Sequence, residues 1–114
     1  AGVPDQALSP KLARKLGQMM IATTKKGTAR KTLGRIRGVD IAGKTGSLIV
    51  DGLDYSWFAG YAPADDPRIA FAAVVVNDPQ KLWHIRGTHL AKAAAKGALF
   101  GDTPPRAQSL VAMR

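Results

Sequence analysis

The chain of 114 residues has no cysteine, which excludes a disulfide framework and thiolate metal sites and leaves its redox compartment open. It also lacks a long apolar run. The longest, Ile69 to Val76, has eight residues, too few to cross a bilayer as a helix. Ala1 to Lys11 shows no basic region followed by an apolar one, so no signal peptide is read there. Histidine is scarce: His84 and His89 lie five positions apart, on no common helical face, and read as surface or core residues rather than ligands. Internal repeats are missing too. Acidic residues are few, eight against seventeen Lys plus Arg, for a net charge of +9. Such a balance attracts polyanions, whether nucleic acid, anionic lipid or an anionic wall polymer. The cations from Lys11 to Arg37 are scattered, however, as on a solvated basic face.

What is present fits one folded domain: the length suffices for a single core, and 46% apolar residues argue against disorder. Ser9-Pro10 predicts a helix start, with Ser as N-cap and Pro in the first turn. Leu12, Leu16, Met19 and Met20 then form an apolar stripe whose methionines read as core packing, and Gly27 predicts the stop. Residues 28–38 read as a basic loop with room for one helical turn. From Ile41 the period changes to two, placing Thr45 and Ser47 on one face of a strand and Lys44 and Gly46 on the other. Asp51-Gly52 predicts a type I′ hairpin turn. That turn pairs Val50 with Leu53, Leu48 with Tyr55, Ser47 with Ser56, Gly46 with Trp57 and Lys44 with Ala59, so that the indole would fill the space Gly46 leaves. A second strand over 54–61 carries Trp57, Phe58 and Tyr61, read as core aromatics. After the turn 63–67 comes a third strand over 68–76. A last helix from near Thr88 to Phe100 presents Ala91, Ala94, Ala95 and Ala98 as a small-residue stripe and stops at Gly101. The predicted order is helix, three antiparallel strands, helix, an α+β arrangement occupying 1–101, with 102–114 as a tail.

Gly38 to Thr45 reads G-V-D-I-A-G-K-T, which fits the phosphate-binding loop pattern G-x-x-x-x-G-K-[ST]. That loop needs a buried strand before its first glycine and a helix starting at the lysine. Residues 31–37 are a poor buried strand, and Gly46 followed by Ser47-Leu48-Ile49-Val50 opposes a helix. The context therefore argues against nucleotide binding.

The same letters belong to another pattern. Ala42-Gly43-Lys44-Thr45-Gly46-Ser47, then Tyr55 to Pro63, then Ala64-Asp65-Asp66-Pro67-Arg68-Ile69-Ala70 and Val74-Val75-Val76-Asn77 resemble the C-terminal part of a penicillin-binding protein transpeptidase domain of the class B kind. Gly27-Thr28-Ala29 after a Met-containing helix fits as well. The resemblance spans about residues 9–100 and implies a partial β-lactamase/transpeptidase-like fold. In it, three strands form part of a larger five-stranded sheet with helices packed on it. It implies that Lys44 lies at the site floor, bonded to the family's S-x-N serine, and that Thr45 bonds a substrate carboxylate. Gly46 would let backbone and substrate approach, and Ser47 would offer a backbone N–H to the oxyanion. These roles imply acylation of a serine by a peptidoglycan stem peptide, trapped by β-lactams, in an extracytoplasmic, membrane-anchored parent.

The chain departs from the family pattern in one decisive way. None of Ser9, Ser47, Ser56 and Ser109 has Lys three places on or Asn two places on, so S-x-x-K and S-x-N are both missing from it. The nucleophile would then come from the remaining N-terminal part of the same domain, with which the chain would associate, or else it would self-associate through open sheet edges. This chain alone would be inactive. No cofactor, metal or nucleic acid is expected. A fragment of a serine β-lactamase or penicillin sensor stands as an alternative, and a basic nucleic-acid-binding module as a more distant one.

Overall fold

The computed structural model describes residues 5–82 and 84–101. The tail expected over 102–114 lies outside the described residues. Helix α1 (Pro10–Lys25) starts as its sequence predicts: the Ser9 side chain accepts from the Leu12 amide at 3.3 Å, with Pro10 in the first turn. The Gly27 amide closes the other end on the carbonyls of Ala22 and Thr23. One turn of helix, α2 (Arg30–Leu33), follows, and its Leu33 is fully buried. Arg37 and Gly38, both at positive φ, then make a tight reversal in which Ile36 bridges to Val39.

Strands β1 (Ala42–Val50), β2 (Leu53–Ala62) and β3 (Ile69–Asn77) form an antiparallel sheet of three in the order β1-β2-β3, with β1 and β3 at its edges. Asp51 and Gly52 have φ of 51° and 78°, the positive values a type I′ turn needs at both central positions. The register follows from the turn. Val50 faces Leu53, Leu48 faces Tyr55, Ser47 faces Ser56, Gly46 faces Trp57 and Lys44 faces Ala59, each pair as predicted.

One face of the sheet carries the core. Phe58 is fully buried and stacks on Phe71 with ring centroids 5.9 Å apart. Its ring lies over the cross-strand pair Gly43–Gly60, where neither residue leaves room for a Cβ. Helix α3 (Gly87–Phe100) packs on this face through Gly87, Thr88, Ala91 and Ala95. Ala94 and Ala98, predicted to share that stripe, face solvent, because the buried line runs at i, i+4, i+8 from Gly87. Gly101 ends the helix in the left-handed conformation at φ 69°.

Two expectations about the core are corrected. The α1 stripe does not face the sheet: Leu12, Leu16 and Met19 are 52%, 43% and 63% exposed, and the buried positions are Gly17 and Thr24. Close approach decides the matter, since a Cβ on Gly17 would stand 2.7 Å from the Tyr61 hydroxyl. Only a small residue lets the helix lie there. Thr24 Oγ1 donates to the Ile41 carbonyl, and Lys25 Nζ meets Asp40 at 2.7 Å, so the helix end is tied to the start of β1. Trp57 is likewise no core residue. It alternates with Phe58, falls on the opposite face and is 42% exposed, beside exposed Val74, Val76 and Leu48.

Candidate active site

Strand β1 positions the residues that the sequence singles out. Alternation puts Thr45 and Ser47 on the α3 side, where they line a cleft of about 430 Å³ together with Gly46, Thr28, Ser56 and the segment 84–86. The strand runs unbroken from Ala42 through Thr45 to Val50, so no helix starts at Lys44 and the phosphate-loop reading is excluded.

The backbone of β1 is as informative as its side chains. A two-residue turn closes on the hydrogen-bonded pair Val50–Leu53, and in an antiparallel ladder such pairs alternate with non-hydrogen-bonded ones. Counting back, Gly46–Trp57 is hydrogen-bonded and Ser47–Ser56 is not. The N–H and C=O of Thr45 and Ser47 therefore point away from β2, toward the open edge. Lys44 emerges on the opposite face and does not line the cleft, yet its ammonium curls back to that edge. Its Nζ donates to the Thr45 carbonyl at 2.9 Å. A cation, an unpaired backbone N–H and a threonine hydroxyl thus meet along one exposed strand edge.

Gly46 stands open. A Cβ there would meet only the Trp57 Cβ, at 3.5 Å, so the indole does not fill the space above it, contrary to expectation. Trp57 projects to solvent instead.

The far wall of the cleft was not legible from the sequence. Asn77, buried at the end of β3, grips the backbone of Ile85 at both ends: Asn77 Nδ2 donates to the Ile85 carbonyl at 2.8 Å, and the Ile85 amide donates to Oδ1 at 2.9 Å. The Gly87 amide donates to Ser56 Oγ at 2.9 Å, where close packing on the β2 backbone excludes a Cβ. These bonds hold His84 and Arg86 at the cleft wall, facing Thr45 and Ser47, with Asp54 as the acidic member of the lining. Asn77-Asp78-Pro79 carried only the signal of a strand end. Thr28, which the sequence marked only within Gly27-Thr28-Ala29 and without a role, also joins the site, its hydroxyl 2.9 Å from that of Thr45. Among the described residues no three His, Cys, Asp or Glu side chains come together as a metal site.

Fold and edge-strand cleft together define an α+β piece of a larger domain, and comparison with known proteins specifies its family. The family model described as penicillin binding protein transpeptidase domain matches residues 3–99, and the chain belongs to that family. It is 33% identical over 106 residues to peptidoglycan D,D-transpeptidase PbpA of Mycobacterium tuberculosis, covering 85% of this chain and 21% of that protein. It is 32% identical over 91 residues to the probable peptidoglycan D,D-transpeptidase PbpC of Pseudomonas aeruginosa, covering 72% of this chain and 15% of the relative. Among solved structures, the D,D-transpeptidase domain of a peptidoglycan glycosyltransferase from Eggerthella lenta superposes with a TM-score of 0.68 at 34% identity, over 82% of this chain and 21% of that one. Penicillin-binding protein A of M. tuberculosis, solved as an imipenem acyl-enzyme complex, gives 0.64 at 32% identity over the same shares. The chain therefore spans about a fifth of the length of PbpA, the relative it matches over most of its own length.

Proposed function

We propose that this chain forms one wall of the active site of a penicillin-binding D,D-transpeptidase that cross-links peptidoglycan outside the cytoplasm, and that the serine nucleophile comes from a part of the protein beyond these residues. One observation carries the reading: Thr45, Gly46 and Ser47 line a cleft on an edge strand whose outward side pairs with no other strand among the described residues, with the Lys44 ammonium held at the same edge. An acyl-transfer site needs that combination. The carbonyl oxygen of the scissile D-alanyl-D-alanine bond gains negative charge in the transition state, and the outward Ser47 N–H is a fixed dipole aimed along the edge to receive it. One such donor is worth roughly 2.7–4 kcal/mol. Thr45 donates its hydroxyl to the terminal carboxylate of the stem peptide, or to the carboxylate of a β-lactam. Lys44 adds positive potential and meets the serine of the S-x-N motif contributed from outside this chain. Gly46 keeps the approach free of side-chain bulk.

The same reading accounts for the uncovered apolar surface. Leu12, Leu16 and Met19 on α1, and Trp57, Val74 and Val76 on the sheet, are positions the rest of the domain would bury. Among the described residues no helix is long and apolar enough to cross a membrane.

The test is acylation of the full-length transpeptidase by a fluorescent penicillin. Lys44→Ala should lower the acylation rate by about two orders of magnitude or more, the scale associated with misplacing reacting groups, while unfolding stays within about 0.5 kcal/mol of wild type, as for a surface substitution. Unchanged acylation would reduce Lys44 to an ordinary strand lysine and remove the reading's electrostatic half.

A further inference from the structure

We propose that Thr28, on the loop between α1 and α2, is a positioning residue that orients the Thr45 hydroxyl toward an anionic carboxylate in the cleft. The proposal rests on the reading of Thr45 as a carboxylate donor. The two hydroxyl oxygens are 2.9 Å apart, and either can be the donor. Each hydroxyl has one hydrogen and two lone pairs. If Thr45 donated to Thr28, its single hydrogen would be occupied within the pair. If Thr28 donates, the Thr45 hydrogen is free to point into the cleft, and accepting one bond polarises the O–H for donating the next. A carboxylate can only accept, so its arrival selects the second arrangement. The pair then acts as a relay of donors from Thr28 to Thr45 to the anion.

The loop is held well enough for this. Ala29, next in sequence, is fully buried in the core, and its amide bonds to the Thr23 carbonyl at 3.4 Å. Gly27 closes α1 on the other side. The helix end is in turn fastened to the start of β1 through Thr24 and the Ile41 carbonyl. Thr28 and Thr45 are thereby fixed by separate anchors that share one frame. Stability does not explain the contact, because exposed hydroxyls that could bond water instead gain little from bonding each other. Its consequence is direction. The lining of the cleft also includes His84 and Arg86, together with one carboxylate, Asp54.

The experiment uses the full-length transpeptidase that includes this chain, and two probes: a β-lactam with its free carboxylate and the neutral methyl ester of the same compound. Pre-acylation affinity and acylation rate are measured separately for Thr28→Val, Thr28→Ser and Thr45→Val. Thr28→Val should weaken binding of the acid by about two- to tenfold, as for one neutral hydrogen bond, and leave the ester unaffected. Thr28→Ser, which keeps the hydroxyl, should retain the preference for the acid. Unfolding midpoints should coincide for all three. Loss of the acid preference in Thr45→Val but not in Thr28→Val overturns the relay and leaves the reading of Thr45 standing. Acid and ester behaving alike in Thr45→Val overturns both. Thr28→Ser failing as Thr28→Val does would assign the effect to the methyl group and also overturn the proposal.

Discussion

Two glycines three residues apart in one strand should respond in opposite ways to the same substitution. At Gly43 an added Cβ would overlap the ring of Phe58 and stand 2.7 Å from the Ala59 carbonyl oxygen. Neither neighbour can yield: Phe58 is fully buried, and the carbonyl belongs to the paired strand. Overpacking of this kind costs about 1–3 kcal/mol and occasionally more. At Gly46 the added Cβ would find only ordinary contact at 3.5 Å on an exposed stretch, so stability should stay within about 0.5 kcal/mol. Function should invert the order of severity. The Gly46 methyl would project onto the Trp57 face beside Lys44, whose ammonium is held at the edge where substrate must lie, and a displacement on the order of 1 Å at the reacting bond costs about 10²-fold in rate. Urea unfolding of the full-length transpeptidase, with the slope checked for constancy, measures the first effect. Stopped-flow acylation by a fluorescent penicillin measures the second. Wild-type acylation in Gly46→Ala, or an unchanged midpoint in Gly43→Ala, would refute the assignment of one glycine to the site and the other to the core.

Prepared by itself, the chain should self-associate, because β1 and β3 are open edges and Leu12, Leu16, Met19 and Trp57 are exposed beside them; a monodisperse monomer with sharp cooperative unfolding in light scattering and denaturation would contradict this. Gly52→Ala should destabilise the full-length protein by about 1 kcal/mol, since φ of 78° at that turn position is strained for any residue with a Cβ; an unchanged urea midpoint would argue against the turn geometry.

The strands and their register were legible because Asp51-Gly52 is a local signal: a two-residue turn with positive φ at both positions fixes every later pair by counting. Ser9-Pro10 and Gly101 marked helix ends for the same reason, their chemistry acting within a turn of where they sit. Orientation was not local. Periodicity identifies an apolar stripe on α1 but not which side of the helix meets the sheet. The choice fell to Gly17 and Thr24, whose small or hydrogen-bonding side chains permit contact with Tyr61 and Ile41. Trp57 and Phe58 show the same limit, as alternation separates them without saying which face is covered. Within the site, Thr45, Gly46 and Ser47 stand together because they are consecutive in one strand. Thr28, His84 and Arg86 reach the cleft through the hydrogen bonds of Asn77 and Ser56 and the fastening of α1 to β1, long-range contacts without a mark in the local sequence.

The central claim, that these residues form a wall of the site and that the nucleophile lies outside them, is tested most directly by locating the acyl group. The full-length transpeptidase is trapped with a β-lactam, digested, and the adduct mapped by mass spectrometry. The adduct should fall on a serine outside this chain that has lysine three positions later. An adduct on Ser9, Ser47, Ser56 or Ser109 would contradict the account.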